Sequence, residues 1–475
     1  MKATAFAIVL VLPCAWGTSV PRTYYVSPTG SATYPFSTPE TAATVIQDAV
    51  DAAEYGDVVQ LAPGEYRQRV KLKDGVRLWG SGADRTTIVA LEEGWYGGAV
   101  TGAQVAEVTR IRFFRQESDL PVYPIAIDMG YYGDQVVSEC EILGPFNWGL
   151  ALSGPWQGGT ALIRNCTMDG PSEAIKLRDY TPRASVDSCR FVGTSILAGS
   201  GTLLLSRCRF AGGALVAGDA DVLMDSCLFS DASGYAAYVT LEGDGSLRMA
   251  NCIMRGVASG LIVNYAGSVQ VVNSTFVNQF HVIYCDPSAK VTLRNTILWG
   301  PPRQLDSVNP ASFDVQYCNV RGGWQGEGNI DADPMFVDPD KGDFRLRPES
   351  PCIDSGAPLT PAWLPGADFA RNPRMVYGGR EPYRERRADM GAYEHYINRL
   401  SSGPLAGQAT LTWSSVFSAT YSILYSDDLV AWHLADGSFG PGWDEVLLSW
   451  TDDGSLTGVP PSLAPRRFYR LLENP

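Results

Sequence analysis

Histidine is nearly absent from this chain of 475 residues, occurring only as His281, His395 and His433. No Cys-x-x-Cys pair occurs either, so the ligand set of a structural zinc site is missing. Charged residues make up only 19% of the chain, and basic ones are the minority: 37 Lys and Arg against 51 Asp and Glu, a formal net charge of -14. That balance argues against nucleic acid or an anionic membrane as partner, because both require concentrated Lys and Arg. Beyond the first residues no apolar run reaches the roughly 18 needed to span a bilayer. Long helix-period patterns, such as those of repeats near about 33 to 34 residues, are also missing.

What is present is a chain with 45% hydrophobic residues, enough for one large core and a small second one. Residues 1–20 place Lys2 ahead of the apolar run Ala3 to Trp16, with small residues near Gly17 and Ser19, and read as a secretory signal peptide. Cys14 is not read as a lipidation site, because Pro13 stands where such sites want a small residue. The expected location is therefore secreted or extracellular, by bacterial export, with no membrane span.

One short phrase recurs: SECEILG (138–144), RNCTMDG (164–170), DSCRFVG (187–193), SRCRFAG (206–212), DSCLFSD (225–231), ANCIMRG (250–256), VNSTFVN (272–278), RNTILWG (294–300) and QYCNVRG (316–322). Its third residue is Cys140, Cys166, Cys189, Cys208, Cys227, Cys252, Ser274, Thr296 and Cys318, spaced by 26, 23, 19, 19, 25, 22, 22 and 22 residues. Each repeat carries short alternating apolar runs separated by Gly, Asn, Asp and Ser, which are strand and turn signals. Three short strands in one such repeat wind once around a cylinder and stack on the next coil in parallel, about 4.8 Å away. The recurring small residue then points inward, and the residue before it, Asn165, Asn251, Asn273 or Asn295 in four coils, takes a tight turn in which Asn tolerates a left-handed backbone.

This pattern resembles the right-handed parallel β-helix, or pectin-lyase-like, superfamily over about residues 22 to 395. The opening segment Thr23 to Tyr66 is similar to that of secreted β-helix proteins. Within it Ala42, Val45, Ile46, Ala49, Val50 and Ala53 share one helix face, suited to cover the open end of the cylinder. Asp331 to Val337, Gly342 to Leu346, Ser350 to Gly356 and Asp389 to Glu394 resemble the closing segment of the same group, with Arg371 departing from its Asp-x-x-Gly-x-x-Arg phrase. After residue 396 alternating strands such as Thr410 to Trp413, Tyr421 to Ser426 and Val446 to Trp450 predict a small β-sandwich-like module. The expected fold is all-β: a right-handed parallel β-helix with an N-terminal capping helix (21–395), then the β-sandwich-like domain (396–475).

Nine cysteines remain without Cys14, and seven lie on the ladder. Disulfides are the default in an exported chain, but side chains stacked in register need not present the dihedral a disulfide requires. They are read mostly as buried thiols acting as small hydrophobes. Asp331, Asp333, Asp338, Asp340 and Asp343 are read as turn and cap residues, with calcium binding through carboxylate oxygens as the other reading. No other cofactor is expected.

The coils of Cys189 and Cys208 are the shortest and expose only Leu197, Gly199, Val216 and Gly218 on one face. That predicts a shallow trough between Lys176 and Arg178 on one side and Glu242 on the other. Asp286 and Asp306 lie further along the same face. The resemblance implies binding of a polysaccharide or cell-surface glycan along this face, with Tyr180, Tyr238, Asn264 and Tyr284 as substrate contacts; Trp148, Trp156 and Tyr265 are further aromatic candidates. Two mechanisms fit the residue types. In a polysaccharide lyase, Lys176 or Arg178 would take the proton beside a uronate carboxylate. In an inverting glycoside hydrolase, two of Glu242, Asp286 and Asp306 would sit about 6.5 to 9.5 Å apart to admit a water. No ordered polygalacturonase or pectate-lyase motif is present, so the alternative is a non-catalytic extracellular structural, adhesive or carbohydrate-binding protein; in either case a monomer is expected.

Overall fold

The computed structural model describes residues 20–90, 98–116, 124–129, 133–152, 159–177, 183–230, 237–256, 260–264, 267–277, 283–300, 305–307, 309–357, 366–372, 374, 387–395, 398–402, 407–414, 420–439, 447–464 and 466–474. The proposed signal segment, Arg178, Tyr180, Trp156, Tyr265 and His281 lie outside them. The chain packs as two compact units, one comprising residues up to 271 with 276–292 and 300–314, the other 272–275, 293–299 and 315–475. Among the described residues no helix is long and apolar enough to cross a membrane.

In the first unit each coil gives one strand to each of three parallel sheets, named here faces A, B and C. The coil of Cys189 shows the plan: Arg183–Asp187 on face A, Arg190–Val192 on face B and Ser195–Ala198 on face C. The next coil stacks Thr202–Ser206, Arg209–Ala211 and Gly213–Ala217 directly on these. Alternation sends Ala184, Val186, Phe191, Ile196 and Ala198 into the core, where all are buried. Phe191, Phe210 and Phe229 stack ring on ring through three coils, with centroids 4.8 and 4.3 Å apart. Face C is an eleven-stranded sheet running from Val70–Lys71 to Leu305–Asp306.

The corner between faces A and B explains the repeated phrase. Its first residue is left-handed in each coil from Arg110 onward: Arg110, Glu139, Asn165, Ser188, Arg207, Ser226 and Asn251 have φ between 53° and 60°. The small residue that follows turns inward and donates back to the carbonyl two positions earlier, Cys189 Sγ to Asp187 at 3.4 Å and Cys208 Sγ to Ser206 at 3.4 Å. Cys140, Cys166, Cys227 and Cys252 do the same at 3.2 to 3.5 Å. The same carbonyls accept an amide from the neighbouring coil, as Asn165 N to Asp187 at 3.0 Å, so the thiol is a second, weak donor on an acceptor that has two lone pairs. The pattern begins one coil before the sequence phrase does, where Ile111 fills the inward position after left-handed Arg110.

The end of the first unit is covered by a helix at Ile46–Ala52, shorter than the apolar pattern from Ala42 to Ala53. Ile46, Ala49 and Val50 are buried, and Gln68 accepts a hydrogen bond from the Ile46 amide at 2.7 Å, satisfying one orphan donor of the first turn. Val45 does not join that face. It is the extended N-cap residue and is 41% exposed, because the helix starts only after it.

In the second unit the same corner recurs with hydroxyls: Ser274 Oγ donates to the Val272 carbonyl at 3.0 Å and Thr296 Oγ1 to that of Arg294 at 2.9 Å. The closing segment docks on these residues, Gly391 N donating to the Asn295 carbonyl at 2.7 Å and Ala392 N to Thr275 Oγ1 at 2.9 Å. Asp331, Asp333 and Asp338 accept backbone amides in turns, and Asp343 pairs with Arg345. Buried Arg374 holds Glu394 at 3.2 Å and donates to the carbonyls of Gly391 and Ala392. Asp354, Asp368 and Asp389 are buried in the same segment. The small C-terminal domain is two three-stranded antiparallel sheets, Asn398–Ser402, Ala409–Ser414 and Leu447–Asp452 against His433–Phe439, Thr420–Ser426 and Phe468–Asn474. Trp413, Tyr421, Ile423, Leu448 and Trp450 form its core.

Two predictions follow from these interiors. All nine described cysteines are free and buried, and burial pushes the Cys140 and Cys227 thiols well above their ordinary range. They are therefore expected not to react with a thiol reagent until the protein is denatured, when all nine should titrate. At the ladder, Cys208→Ser should cost under about 1 kcal/mol because the hydroxyl keeps the corner bond, whereas Cys208→Leu should cost about 1–3 kcal/mol by overpacking; urea midpoints measure both.

Burial raises Glu394 to about 7 from an ordinary value near 4.5, against the lowering effect of Arg374. Burial and the Glu394 charge push Asp389 up as well. A carboxyl with a raised folded-state value binds more protons folded than unfolded, so stability is fully present below pH 4.5 and falls as pH rises toward 7, by on the order of 3 kcal/mol for Glu394. His395, lowered by its burial, has the opposite slope below pH 6.5. The difference between wild type and Glu394→Gln across pH 4.5 to 7.5 isolates the Glu394 contribution: the decline should be shallower in the variant.

Candidate functional site

Face C carries the candidate residues. Its outward column, one residue per coil, reads Lys71, Thr101, Asp128, Ala151, Lys176, Leu197, Val216, Thr240, Ile262, Tyr284 and Asp306, each in register with the next. Backbone pairing continues past the strands into a neighbouring column: Gly199 N donates to the Leu177 carbonyl, Gly218 N to Ala198, Glu242 N to Ala217, Asn264 N to Leu241 and Asp286 N to Val263. Successive parallel strands lie about 4.8 Å apart, so Lys176 is separated from Thr240 by three steps, about 14 Å.

Between them lies an open cleft of about 480 Å³, lined by Lys176, Leu177, Leu197, Ala198, Gly199, Val216, Gly218 and Glu242. Its cause is coil length. The coils of Cys189 and Cys208 leave face C through three residues, 199–201 and 218–220, with no room for a projecting loop. Their outward side chains are aliphatic or absent, so the floor is low and apolar. Gly218 is needed for close stacking, since a Cβ there would stand 2.9 Å from the Gly199 carbonyl oxygen.

At the upper rim Lys176 does not stand alone. Its ammonium lies 3.4 Å from Glu173 on the same strand. Two residues three apart on a regular strand point to opposite faces, and here the register shifts between Glu173 and Ile175. The bulge buries Ala174 and Ile175 in succession and turns Glu173 to the side of Lys176. Glu173 is not among the sequence candidates; its signal is the pair of adjacent apolar residues in an otherwise alternating strand. Trp148, half-buried, is in register with Glu173 one coil away.

The other candidates separate into distinct environments. Glu242 is exposed on the lower rim. Asn264 and Asp286 follow it in the same column. Asp286 is spoken for, its carboxylate accepting from the Ser288 hydroxyl at 2.6 Å and the Ser288 amide at 2.9 Å, bonds that lower its pKa. Asp306 is half-buried beside Tyr284, which is 39% exposed. Tyr238 is half-buried, two residues ahead of Thr240 on the lower strand. Lys176 and Glu242 bracket one cleft but stand too far apart along the stack to act together on one glycosidic bond, for which an inverting pair spans about 6.5 to 9.5 Å. Glu173 and Lys176 form the one ion pair at its rim among the described residues. No group of three or more His, Cys, Asp or Glu arranged to hold a metal occurs among the described residues.

Solved structures with a similar course of chain include the enzymatically active domain of bacteriophage CBA120 tailspike protein 4, at 13% identity and a TM-score of 0.41, over 90% of this chain and 63% of the tailspike domain. This chain thus spans less than two thirds of that domain. The catalytic unit of the GH87 α-1,3-glucanase of Streptomyces thermodiastaticus aligns at 15% identity and a TM-score of 0.38, over 65% of this chain and 69% of the glucanase. Pectin methylesterase PemA of Erwinia chrysanthemi aligns at 12% identity and a TM-score of 0.28, over 69% and 99%. No sequence among the curated proteins matches the chain. Residues 126–320 match the family model of the right-handed β-helix region, within an all-β fold made of a parallel β-solenoid and small antiparallel sheets at the C-terminus.

Proposed function

We propose that the protein is exported and binds a polysaccharide in the face C cleft. The observation that carries this reading is the cleft itself: an apolar floor of Leu197 and Val216, open along the stack, with Lys176 and Glu173 at one rim and Glu242 at the other. Sugar rings present C–H faces that suit such a floor, and hydroxyl edges that suit charged and carbonyl groups at its rims. A run of several rings lies along the three coil steps better than a compact small molecule would. The half-buried Tyr238, Asn264 and exposed Tyr284 extend the same face beyond Glu242 and offer stacking and hydrogen bonding to a longer chain.

Cleavage is a second reading, favoured by one feature. The bulge at Glu173 brings a carboxylate and an ammonium together at the rim, and bulges of this kind re-aim side chains next to active sites. In that reading Lys176 acts as base or Glu173 as acid on a sugar held against the floor.

Binding is measured by retardation in native gels containing neutral glucans or uronate polymers. Wild type should be retarded by at least one of them, and Leu197→Trp, which fills the floor, should lose about tenfold or more in affinity. Lys176→Ala and Glu242→Ala should each lose less, because both are partly solvated. Equal retardation of wild type and Leu197→Trp would place the glycan elsewhere. Products from the retained polymer separate the two readings: an unsaturated uronate or new reducing ends that vanish in Glu173→Gln and Lys176→Ala mean cleavage.

A further inference from the structure

Outward charges on neighbouring coils are arranged in opposite-sign pairs. Arg77 stands against Glu107, Arg112 against Glu141 at 2.8 Å and Arg110 against Glu139 at 3.2 Å, each one coil apart. Arg207 likewise reaches Asp187. Face B breaks this rule once. Its outward column reads Thr87, Arg112, Glu141, Thr167, Arg190, Arg209 and Leu228, so Arg190 stacks on Arg209 in direct register. Both arginines are exposed; their amides pair within the sheet, and no ion pair or hydrogen bond of either guanidinium is present among the described residues. The nearest carboxylate in the neighbouring column is Asp169, in register with Val192 and not within ion-pair distance of Arg190.

Like charges directly opposite one another are destabilising, and these two cannot slip apart by register. Phe191 and Phe210, the residues that follow them, are stacked inside the core at 4.8 Å and hold the strands in place. In a chain of net charge -14, an unpaired double cation on a rigid sheet is an unbalanced feature, and it has the chemistry of an oxyanion clamp. Two arginines on adjacent strands, about 4.8 Å apart at the backbone, bring two guanidinium forks within reach of one anionic ligand, and such forks suit carboxylates better than lysine does. Thr167 adds a hydroxyl one coil away.

We propose that Arg190 and Arg209 form a carboxylate-binding site for an acidic, uronate-bearing glycan on face B. The step between the two strands is comparable to one sugar ring, so neighbouring carboxylates of an extended uronate polymer come within reach of the two arginines. The same two coils supply the cleft floor on face C, Leu197 lying seven residues after Arg190 and Val216 seven after Arg209. The corner between them runs through Gly193 and through Gly212 and Gly213, all left-handed and without side chains to obstruct a polymer. The proposal rests on the glycan reading only for the identity of the polymer; the site is separate from the cleft.

The test is retardation in native gels containing polygalacturonate or a neutral glucan, for wild type, R190Q/R209Q, R190K/R209K and Leu197→Trp. Wild type should bind polygalacturonate with an affinity that falls as salt rises, R190Q/R209Q should lose about tenfold or more, and R190K/R209K should recover part of it. The R190Q/R209Q variant should unfold at the same or higher urea concentration than wild type, since a repulsion is removed; should it fail to fold, R190Q and R209Q alone carry the test. Loss in R190Q/R209Q with full binding by Leu197→Trp supports the face B site even where the cleft reading fails. Unchanged binding by R190Q/R209Q, or no binding of polygalacturonate by wild type, overturns it.

Discussion

The left-handed turn between faces A and B, followed by an inward residue that must be buried, is the constraint from which the rest follows. A coil that closes in about twenty residues must turn sharply between faces A and B. It does so with a left-handed residue at Arg110, Glu139, Asn165, Ser188, Arg207, Ser226 and Asn251. The carbonyl two positions before the ladder residue already accepts an amide from the neighbouring coil, Asn165 N to Asp187 at 3.0 Å and Ser188 N to Ser206 at 2.9 Å, and the ladder side chain adds a second donor to it. Cysteine suits the inward position through little volume and good tolerance of burial, and adds a weak donor. Ser274 and Thr296 show that a stronger donor of similar size serves the same corner. The thiols are thus corner pieces, and their chemistry as nucleophiles is suppressed by the burial that makes them useful.

With the corners fixed, function is left to coil length and to outward residues. Every strand in the stack has the same inward demands, so a coil differs from its neighbours chiefly in what it inserts on either side of face C, as in residues 231–236 before it against the single residue 212 one coil earlier. The Cys189 and Cys208 coils insert least, and the cleft is the result. It is a depression made by omission, its floor held by the parallel pairing of the Leu197 and Val216 strands and by the buried Ile196, Ala198, Leu215 and Ala217 on their inner side. Preorganisation of this kind lowers the ordering cost of binding an extended ligand.

The ladder was legible because one position must always be small and polar enough, and nine copies of the phrase make that visible without any structure. The two short coils were legible from spacing alone. What escaped was local. Val45 fits the apolar helix face by periodicity, yet the helix begins after it, and nothing in the pattern distinguishes an N-cap residue from the first turn. Ile111 begins the ladder unrecognised because it lacks the thiol or hydroxyl. Glu173 was passed over because strict alternation places it opposite Lys176, and only the register shift brings the two together. Asp286 looked like a free carboxylate, but two residues on Ser288 supplies an amide and a hydroxyl that make it a turn former, which a column of outward residues does not reveal.

Stacking also explains why surface charge in this fold is informative. On a helix or an isolated loop, an unpaired arginine is ordinary. On a parallel stack each outward side chain has two neighbours about 4.8 Å away whose identity is set by the coil repeat, so pairing is cheap to achieve and its failure is conspicuous. Arg77, Arg110, Arg112 and Arg207 each found a carboxylate one coil distant. Where Glu141 answers Arg112, the equivalent place beside Arg190 is held by Thr167 on one side and by Arg209 on the other. A substitution of either arginine by almost any residue would relieve the repulsion, so the pair is a feature that stability alone does not favour, and an anionic ligand is the interaction that offsets it.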